Sequence, residues 1–280
     1  MKILLPIILC MAAGLAACET HNEDVKTLKI KHNGDSGPAM VAAANPHATD
    51  AGLEILAQGG SAIDAAIAVQ TVLGLVEPQS SGIAGGAFMV VFDPKTGKVW
   101  VYDGRETAPA AITPELFYGD DGKPLRYFEG IASGRSTGVP GVMVMLKKAH
   151  DDYGRLEWGP QMQPAITLAE DGFAISPRMA GLIERAGRYA LTRQKAAREY
   201  FFEEDGKTPH PAGFIRDNLP YANTLRALQD NPRALLEGPI AEKIIAGTQE
   251  APLPGTMTLE DMAAYQAQKR PALCTEYRRH

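Results

Sequence analysis

The heptad DGRETAP at residues 103–109 contains the side chain with the clearest chemical use, the guanidinium of Arg105. Arginine presents two parallel N–H donors, which fit a carboxylate better than the single ammonium of lysine does. The heptad follows a strand-like run, and ligands are often bound where a strand gives way to a loop. On their own, these residues leave two interpretations open. Arg105 binds a substrate carboxylate, or it is a solvated side chain paired with Asp103 or Glu106.

A second candidate is the glycine-rich turn SSGIAGG at residues 80–86. It lacks the Gly-Lys-Ser/Thr ending of a phosphate-binding loop and the G-x-S-x-G pattern of a nucleophile elbow. It also leads from a helix into a strand, whereas a dinucleotide-binding turn leads from a strand into a helix. The turn therefore predicts a backbone that passes close to another group, which is either a ligand or a tightly packed neighbouring element.

Helical periodicity predicts the elements that precede this turn. One helix follows the dipeptide at residues 45–46 and stops at Gly59. A second begins at the N-cap Ser61, with Asp64 three residues later, and ends near Glu77. Further helices are predicted at residues 142–150, 162–171, 177–189, 221–229, 240–247 and 259–267.

Three apolar runs predict strands. Residues 87–92 and 98–103 form a β-hairpin in this interpretation, and the continuous apolarity of the first run predicts cover on both of its faces. A short run at residues 40–44 predicts another strand. Because the sequence shows no linker between two domains, we predict a layered α/β body with helices packed over a central sheet.

The overall composition is that of a folded, mildly acidic protein. Of the 280 residues, 45% are hydrophobic, and 28 Lys and Arg against 33 Asp and Glu give a net charge of -5. No basic block could neutralise a phosphate backbone, so nucleic acid is excluded as a predicted partner. The six histidines are scattered and predict no metal site. Cys274 stands alone in the body of the chain and is expected to be a small, partly buried hydrophobic residue.

The N-terminus predicts export from the cytoplasm. Residues 1–17 have one early lysine and a long apolar run, which is typical of a signal peptide. That run would rise only about 22 Å as a helix, which is short of a bilayer core. Residues 15–18 (LAAC) resemble a bacterial lipobox, so Cys18 is predicted to carry a lipid. An ordinary signal peptide is the alternative. We expect a periplasmic protein of the bacterial cell envelope, anchored to a membrane by lipid, with a flexible tether at residues 18–37.

Several motifs, in this order and at this spacing, resemble the large-subunit half of the γ-glutamyltransferases, also called glutathione hydrolases. The resemblance covers residues 37–280. The motifs are NPHA at 45–48, GLEIL at 52–56, GGSAIDAA at 59–66, PQSSGIAGGAFM at 78–89, DGRETAP at 103–109, SG at 133–134, GVPG at 138–141, PA at 164–165, AEDGF at 169–173 and LEDMAAY at 259–265.

The resemblance implies an N-terminal-nucleophile hydrolase with a layered αββα fold, made as a precursor that cuts itself into two subunits. The Thr that begins the small subunit attacks the γ-glutamyl amide, with its own α-amine as base. A γ-glutamyl ester then passes to water, an amino acid or a peptide. Glutathione and other γ-glutamyl amides are the implied donors, no metal or organic cofactor is implied, and Arg105 is the implied ligand of the glutamyl α-carboxylate.

The sequence departs from the family because none of its threonines occupies the motif of the catalytic one. We therefore predict no catalytic residue in these 280 residues. Residues 38–280 are expected to form a large-subunit domain, truncated before the small subunit and inactive alone, with sheet edges and apolar faces uncovered. Two other functions remain open: a related glutaryl-type or cephalosporin acylase, and a non-catalytic lipoprotein fragment that binds γ-glutamyl groups.

Overall fold

The computed structural model describes residues 39–187, 192, 194–250, 252–275 and 278. The predicted signal peptide, Cys18 and the tether at residues 18–37 lie outside these residues and stay predictions. Within the described part of the chain, no helix has both the length and the apolar character needed to cross a bilayer.

Two helices begin the described chain and are capped by the residues that the sequence indicated. α1 spans Pro46–Ala57 and α2 spans Ala62–Val76. The side chain of Ser61 accepts from the Asp64 main-chain N–H at 3.1 Å, and the Asp64 carboxylate accepts from the Ser61 N–H at 2.7 Å. Gly59 has φ of +89°, a conformation that suits glycine after a helix. The predicted capping box and helix stop are confirmed.

The later helices match most of the predicted ones. They are α3 (Tyr127–Ile131), α4 (Val142–Tyr153), α5 (Gln163–Asp171), α6 (Pro177–Gly187), α7 (Lys195–Phe201), α8 (Leu219–Asp230), α9 (Gly238–Thr248) and α10 (Leu259–Ala264). α3 and α7 were not predicted, since each is short. The predicted helix at 259–267 ends early because the backbone of Tyr265 is extended, with φ of -64° and ψ of 134°.

A three-stranded antiparallel sheet contains the predicted hairpin. β1 (Phe88–Asp93) pairs with β2 (Lys98–Asp103) in a register that places Phe88 opposite Asp103. After the short pair β3 (Phe173–Ala174) and β4 (Ile215–Arg216), the strand β5 (Gln268–Pro271) pairs with the other edge of β2. The sequence did not predict β5, because its residues QKRP show neither apolar alternation nor β-branching.

β5 is held to the hairpin by a lysine as well as by its backbone. The ammonium of Lys269 lies 2.8 Å from Asp152 Oδ2 and 4.7 Å from the centroid of the Trp100 ring. Cation–π and ionic contacts of this kind attach a polar strand without apolar burial.

The helices pack against one face of the sheet. Tyr102 of β2 is fully buried, and its ring meets that of Tyr153 in α4 edge to face at 6.5 Å between centroids. Met89 and Val91 of β1 also pack against the helical core. The core continues through residues that are fully buried on the helices, among them Ile67, Leu75, Met145, Ile166 and Leu225. This arrangement is the predicted layered α/β body.

Two expectations about strands are wrong for the described residues. On the outer face of β1, Phe88, Val90 and Phe92 are exposed by 62%, 68% and 63%, so this strand is covered on one face only. Residues 40–44 form no strand, and none of the described strands pairs with them. Cys274 also differs from expectation: it is exposed, since it follows the end of β5.

Candidate functional site

Arg105 lies on the open surface where β2 ends. Its side chain is 66% exposed, and its Nη1 lies 2.9 Å from Glu106 Oε2. It does not line the cavity of about 410 Å³ that Thr107 and Tyr265 border. The predicted position at a strand end is therefore confirmed, but the guanidinium occupies an open surface and not an enclosed pocket.

The glycine-rich turn packs directly against the loop that carries Arg105. A Cβ on Gly86 would clash with the Glu106 carboxylate and would lie 2.8 Å from its main-chain nitrogen. A Cβ on Gly138 would lie 2.8 Å from Glu106 Cβ. The Gly85 carbonyl accepts from the main-chain N–H of Gly141 at 3.0 Å. The close approach predicted for residues 80–86 is thus present, and the neighbour in this structure is the Arg105 loop.

The buried carboxylate of Glu77 fixes the start of the glycine-rich turn. Glu77 is 2% exposed, and it accepts from Asn45 Nδ2 at 3.0 Å and from the side chains of Gln79 and Arg178. Burial by itself raises the pKa of Glu77, but these hydrogen bonds and the charge of Arg178 outweigh it, so the pKa lies below its usual range. Arg178 also donates to Ser80 Oγ at 3.2 Å. Glu77 is therefore ionised at neutral pH and holds the turn in place.

The main chain of Arg105 is held on both sides. Its N–H donates to Asp103 Oδ1 at 3.0 Å, and its carbonyl accepts from the hydroxyl of Tyr265 at 2.9 Å. Asp103 Oδ2 is in turn 2.6 Å from Nη2 of Arg270 in β5. Burial, together with the carboxylates of Asp103 and Glu106, raises the pKa of Tyr265 to about 12. The phenol is therefore protonated at neutral pH and able to donate.

Sequence reasoning found Arg105 but missed the residues that hold its loop. Tyr265 is 160 positions from Arg105, and Arg178 is 101 positions from Glu77. No local pattern connects such pairs. The motif LEDMAAY contains Tyr265, but on its own it predicts only a helix and gives no sign of the contact with Arg105.

The arrangement can bind a carboxylate. The side chain of Arg105 is 66% exposed, and its contact with Glu106 is made through Nη1, so a ligand carboxylate can approach the guanidinium from solvent. Within residues 39–187, 192, 194–250, 252–275 and 278, no three His, Cys, Asp or Glu side chains are grouped closely enough to hold a metal ion.

Comparisons with known proteins place the chain in a family. The gamma-glutamyltranspeptidase family model matches residues 48–280. The glutathione hydrolase proenzyme of Bacillus subtilis is 35% identical over 227 residues, which cover 81% of this chain and 38% of that protein. The chain thus spans about two fifths of the length of the curated relatives it matches.

Solved structures extend the agreement to the fold. Helicobacter pylori gamma-glutamyltranspeptidase superposes with a TM-score of 0.81 and 27% identity, covering 89% of this chain and 70% of that one. Cephalosporin acylase from Bacillus halodurans gives a TM-score of 0.71 and 29% identity, covering 89% and 47%. The layered α/β fold is that of the N-terminal-nucleophile hydrolases, and the chain belongs to the gamma-glutamyltranspeptidase family.

Proposed function

We propose that this chain is the large-subunit part of an enzyme that hydrolyses or transfers γ-glutamyl groups from glutathione and related amides. The observation that carries the proposal is Arg105, an exposed guanidinium on a loop whose main chain is fixed on both sides. Its two-donor fork fits the α-carboxylate of a glutamyl group. Membership of the family and the glutathione hydrolase relatives support this assignment.

The nucleophile in this proposal is a Thr from polypeptide outside the 280 residues. Its hydroxyl attacks the γ-carbonyl while its α-amine takes the proton, the amine leaving group departs, and a γ-glutamyl ester forms. Water, an amino acid or a peptide then releases the glutamyl group. In this mechanism Arg105 orients the donor by its carboxylate and takes no part in proton transfer.

We propose that the small subunit binds to the outer face of β1. Phe88, Val90 and Phe92 present three apolar side chains to solvent, and β1 forms one edge of its sheet. An exposed apolar strand at a sheet edge is normally covered. The greater length of the relatives supports a further segment that covers it.

We also propose that the protein is exported and lipid-anchored in the bacterial envelope, on the basis of the lipobox-like LAAC at residues 15–18. Cys18→Ser should abolish incorporation of labelled fatty acid. Cys274→Ser, which removes the exposed thiol near the other end, is the matched control and should keep the label. Label retained in Cys18→Ser would contradict the anchor.

Release of a chromogenic amine from a γ-glutamyl anilide tests the main proposal. The complete product of the gene should release it, and Arg105→Ala should raise the KM strongly while leaving the protein folded. The 280-residue chain should release none. Turnover by that chain alone would show that a nucleophile lies within it, and unchanged KM in Arg105→Ala would remove Arg105 from the site.

The acylase remains a second candidate because the Bacillus halodurans cephalosporin acylase shares the fold at 29% identity. Its acyl group would lack the glutamyl amine but keep a carboxylate, so Arg105 serves either substrate. A glutaryl anilide distinguishes the two: preference for it over the γ-glutamyl anilide would identify an acylase. Binding of a γ-glutamyl ligand by the complete product without turnover of either anilide would identify the non-catalytic alternative.

A further inference from the structure

We infer that Tyr265 is a positioning residue for Arg105, and that through Arg105 it sets how tightly the donor's carboxylate is bound. The inference rests on the proposed function of Arg105. Tyr265 is 4% exposed, and its hydroxyl donates to the Arg105 carbonyl at 2.9 Å.

The hydroxyl of Tyr265 occupies a space that only glycine leaves open. A Cβ on Gly141 would clash with both the Tyr265 hydroxyl and the Gly104 carbonyl. The tyrosine hydroxyl therefore reaches the Arg105 carbonyl through the space left by the missing side chain of Gly141. Such a fit fixes the carbonyl of Arg105 in direction as well as in distance.

Tyr265 is itself held from the other side. Arg233 donates through Nη1 to the Tyr265 carbonyl at 3.2 Å and through Nη2 to the Ala263 carbonyl at 2.9 Å. In α10, Asp261 Oδ1 accepts from the main-chain N–H of Ala110 at 3.0 Å. α10 and the residue that follows it thus connect to the chain at Arg105 and again at Ala110, which makes them a support for this loop.

This support matters because the Arg105 side chain is 66% exposed. Its main chain and its contact with Glu106 define where the guanidinium starts. Displacing a binding group by about 1 Å is enough to weaken its contact with the ligand severely. Tyr265→Phe keeps the ring but leaves the Arg105 carbonyl without this donor.

The test uses the complete, processed enzyme and two donors that differ only in the carboxylate. The γ-glutamyl anilide carries it, and the 4-aminobutyryl anilide does not. Tyr265→Phe should raise the KM for the first by about 3- to 10-fold with kcat nearly unchanged. It should leave kcat/KM for the second as in the parent enzyme, because that donor makes no use of the Arg105 fork.

Two further variants separate positioning from general destabilisation. Tyr102→Phe deletes another buried tyrosine hydroxyl, one that donates to Asp152 and not to the Arg105 loop, and it should leave both KM values unchanged. The double variant Arg105→Ala with Tyr265→Phe should be no worse on the γ-glutamyl donor than Arg105→Ala alone, since Tyr265 acts through Arg105.

The outcomes separate the inference from the proposed function. If Arg105→Ala itself leaves the KM for the γ-glutamyl donor unchanged, the function proposed for Arg105 is wrong and the inference falls with it. If Arg105→Ala raises that KM while Tyr265→Phe behaves like Tyr102→Phe, only the inference is overturned. The inference would also be overturned if, in the double variant, the factors by which the two single substitutions raise the KM simply multiplied.

Discussion

At the scale of single residues, the site combines an exposed charge with a buried scaffold. Arg105 is open to solvent, whereas Tyr265 and Glu77, which fix its surroundings, are almost fully buried. A ligand can therefore reach the guanidinium without any rearrangement of the core. The peptide of Arg105 is already hydrogen-bonded on both sides, so binding has to order only its side chain.

Arg105→Lys in the complete enzyme should raise the KM for a γ-glutamyl donor by about 10- to 100-fold, because lysine replaces a two-donor fork with one ammonium. Steady-state kinetics with the γ-glutamyl anilide measure this. Arg226→Lys is the matched control, since Arg226 forms an exposed ion pair with Glu170 on α8 and α5. It should leave the KM unchanged, and an equally unchanged KM in Arg105→Lys would contradict the assignment.

Gly141→Ala should destabilise the protein by about 1–3 kcal/mol, because the new methyl group would overlap the Tyr265 hydroxyl and the Gly104 carbonyl. Urea unfolding followed by circular dichroism gives the free energy of unfolding. Gly181→Ala in α6 is the control: nothing lies within 4 Å of its Cβ position, so it should stabilise by about 0.5–1 kcal/mol. Equal effects of the two substitutions would show that the gap at Gly141 is not filled as described.

At the scale of elements, the start of α2 is a junction of several segments. The carboxylate of Asp64 is fully buried and accepts from the Ser61 N–H, the Arg155 N–H at 2.9 Å and Gln161 Nε2 at 3.0 Å. His150 Nε2 lies 3.5 Å from Asp64 Oδ1. One capping residue thus joins α2 to the chain that follows α4.

This junction predicts a loss of stability in acid. Burial raises the pKa of Asp64, but its hydrogen bonds outweigh burial and place the pKa below its usual range. Its contribution is complete above the unfolded pKa of about 3.9 and disappears as the pH falls through the lower, folded pKa. Asp64→Asn should cost about 1–3 kcal/mol at neutral pH and progressively less as the pH falls below about 3.9.

Unfolding free energies measured across this pH range check the prediction. Ser61→Ala removes the hydroxyl that accepts from the Asp64 main-chain N–H, but it keeps the Asp64 carboxylate and the Ser61 N–H that donates to it. It should therefore lower stability less and retain the acid dependence. A loss in Asp64→Asn that is the same at pH 2 and pH 7 would contradict the role of the ionised carboxylate.

Local sequence signals explain which elements were predictable. Ser61 with Asp64, and Gly59, define the helix ends because capping chemistry depends on neighbouring residues only. β5 was not predicted because a strand of polar residues has no periodic signature. A strand was wrongly predicted at residues 40–44 because apolar character alone does not provide a neighbouring strand to pair with. Arg105 was found through its motif, whereas Tyr265 and Arg178 act across more than 100 positions.

At the scale of the whole molecule, the described helices cover one face of the sheet and leave the other face exposed. Helices cover the face that contains Met89 and Val91, and the face that contains Phe88 and Val90 is apolar but open. The expectation that apolar surface would lie uncovered is confirmed for β1. An exposed apolar surface of this kind is typical of an interaction site.

Val90→Lys in the complete precursor should lower the yield of the processed two-subunit enzyme strongly, because burying an unpaired ammonium costs several kcal/mol. Gel analysis of the purified product, with γ-glutamyl anilide activity per mole, measures it. Ala57→Lys places the same charge at an exposed position at the end of α1 and should have no effect. Normal assembly of Val90→Lys would show that the outer face of β1 is not an interface.

The carboxylate of Glu77 also has a consequence for the order of folding. It joins Asn45, at the start of α1, to Arg178, at the start of α6, which lies 101 positions further along the chain than Glu77. The glycine turn cannot reach its final shape before these distant segments meet. Because closing so long a loop is entropically costly, the surface around the glycine turn and Arg105 is expected to form late, after the local helices and the hairpin.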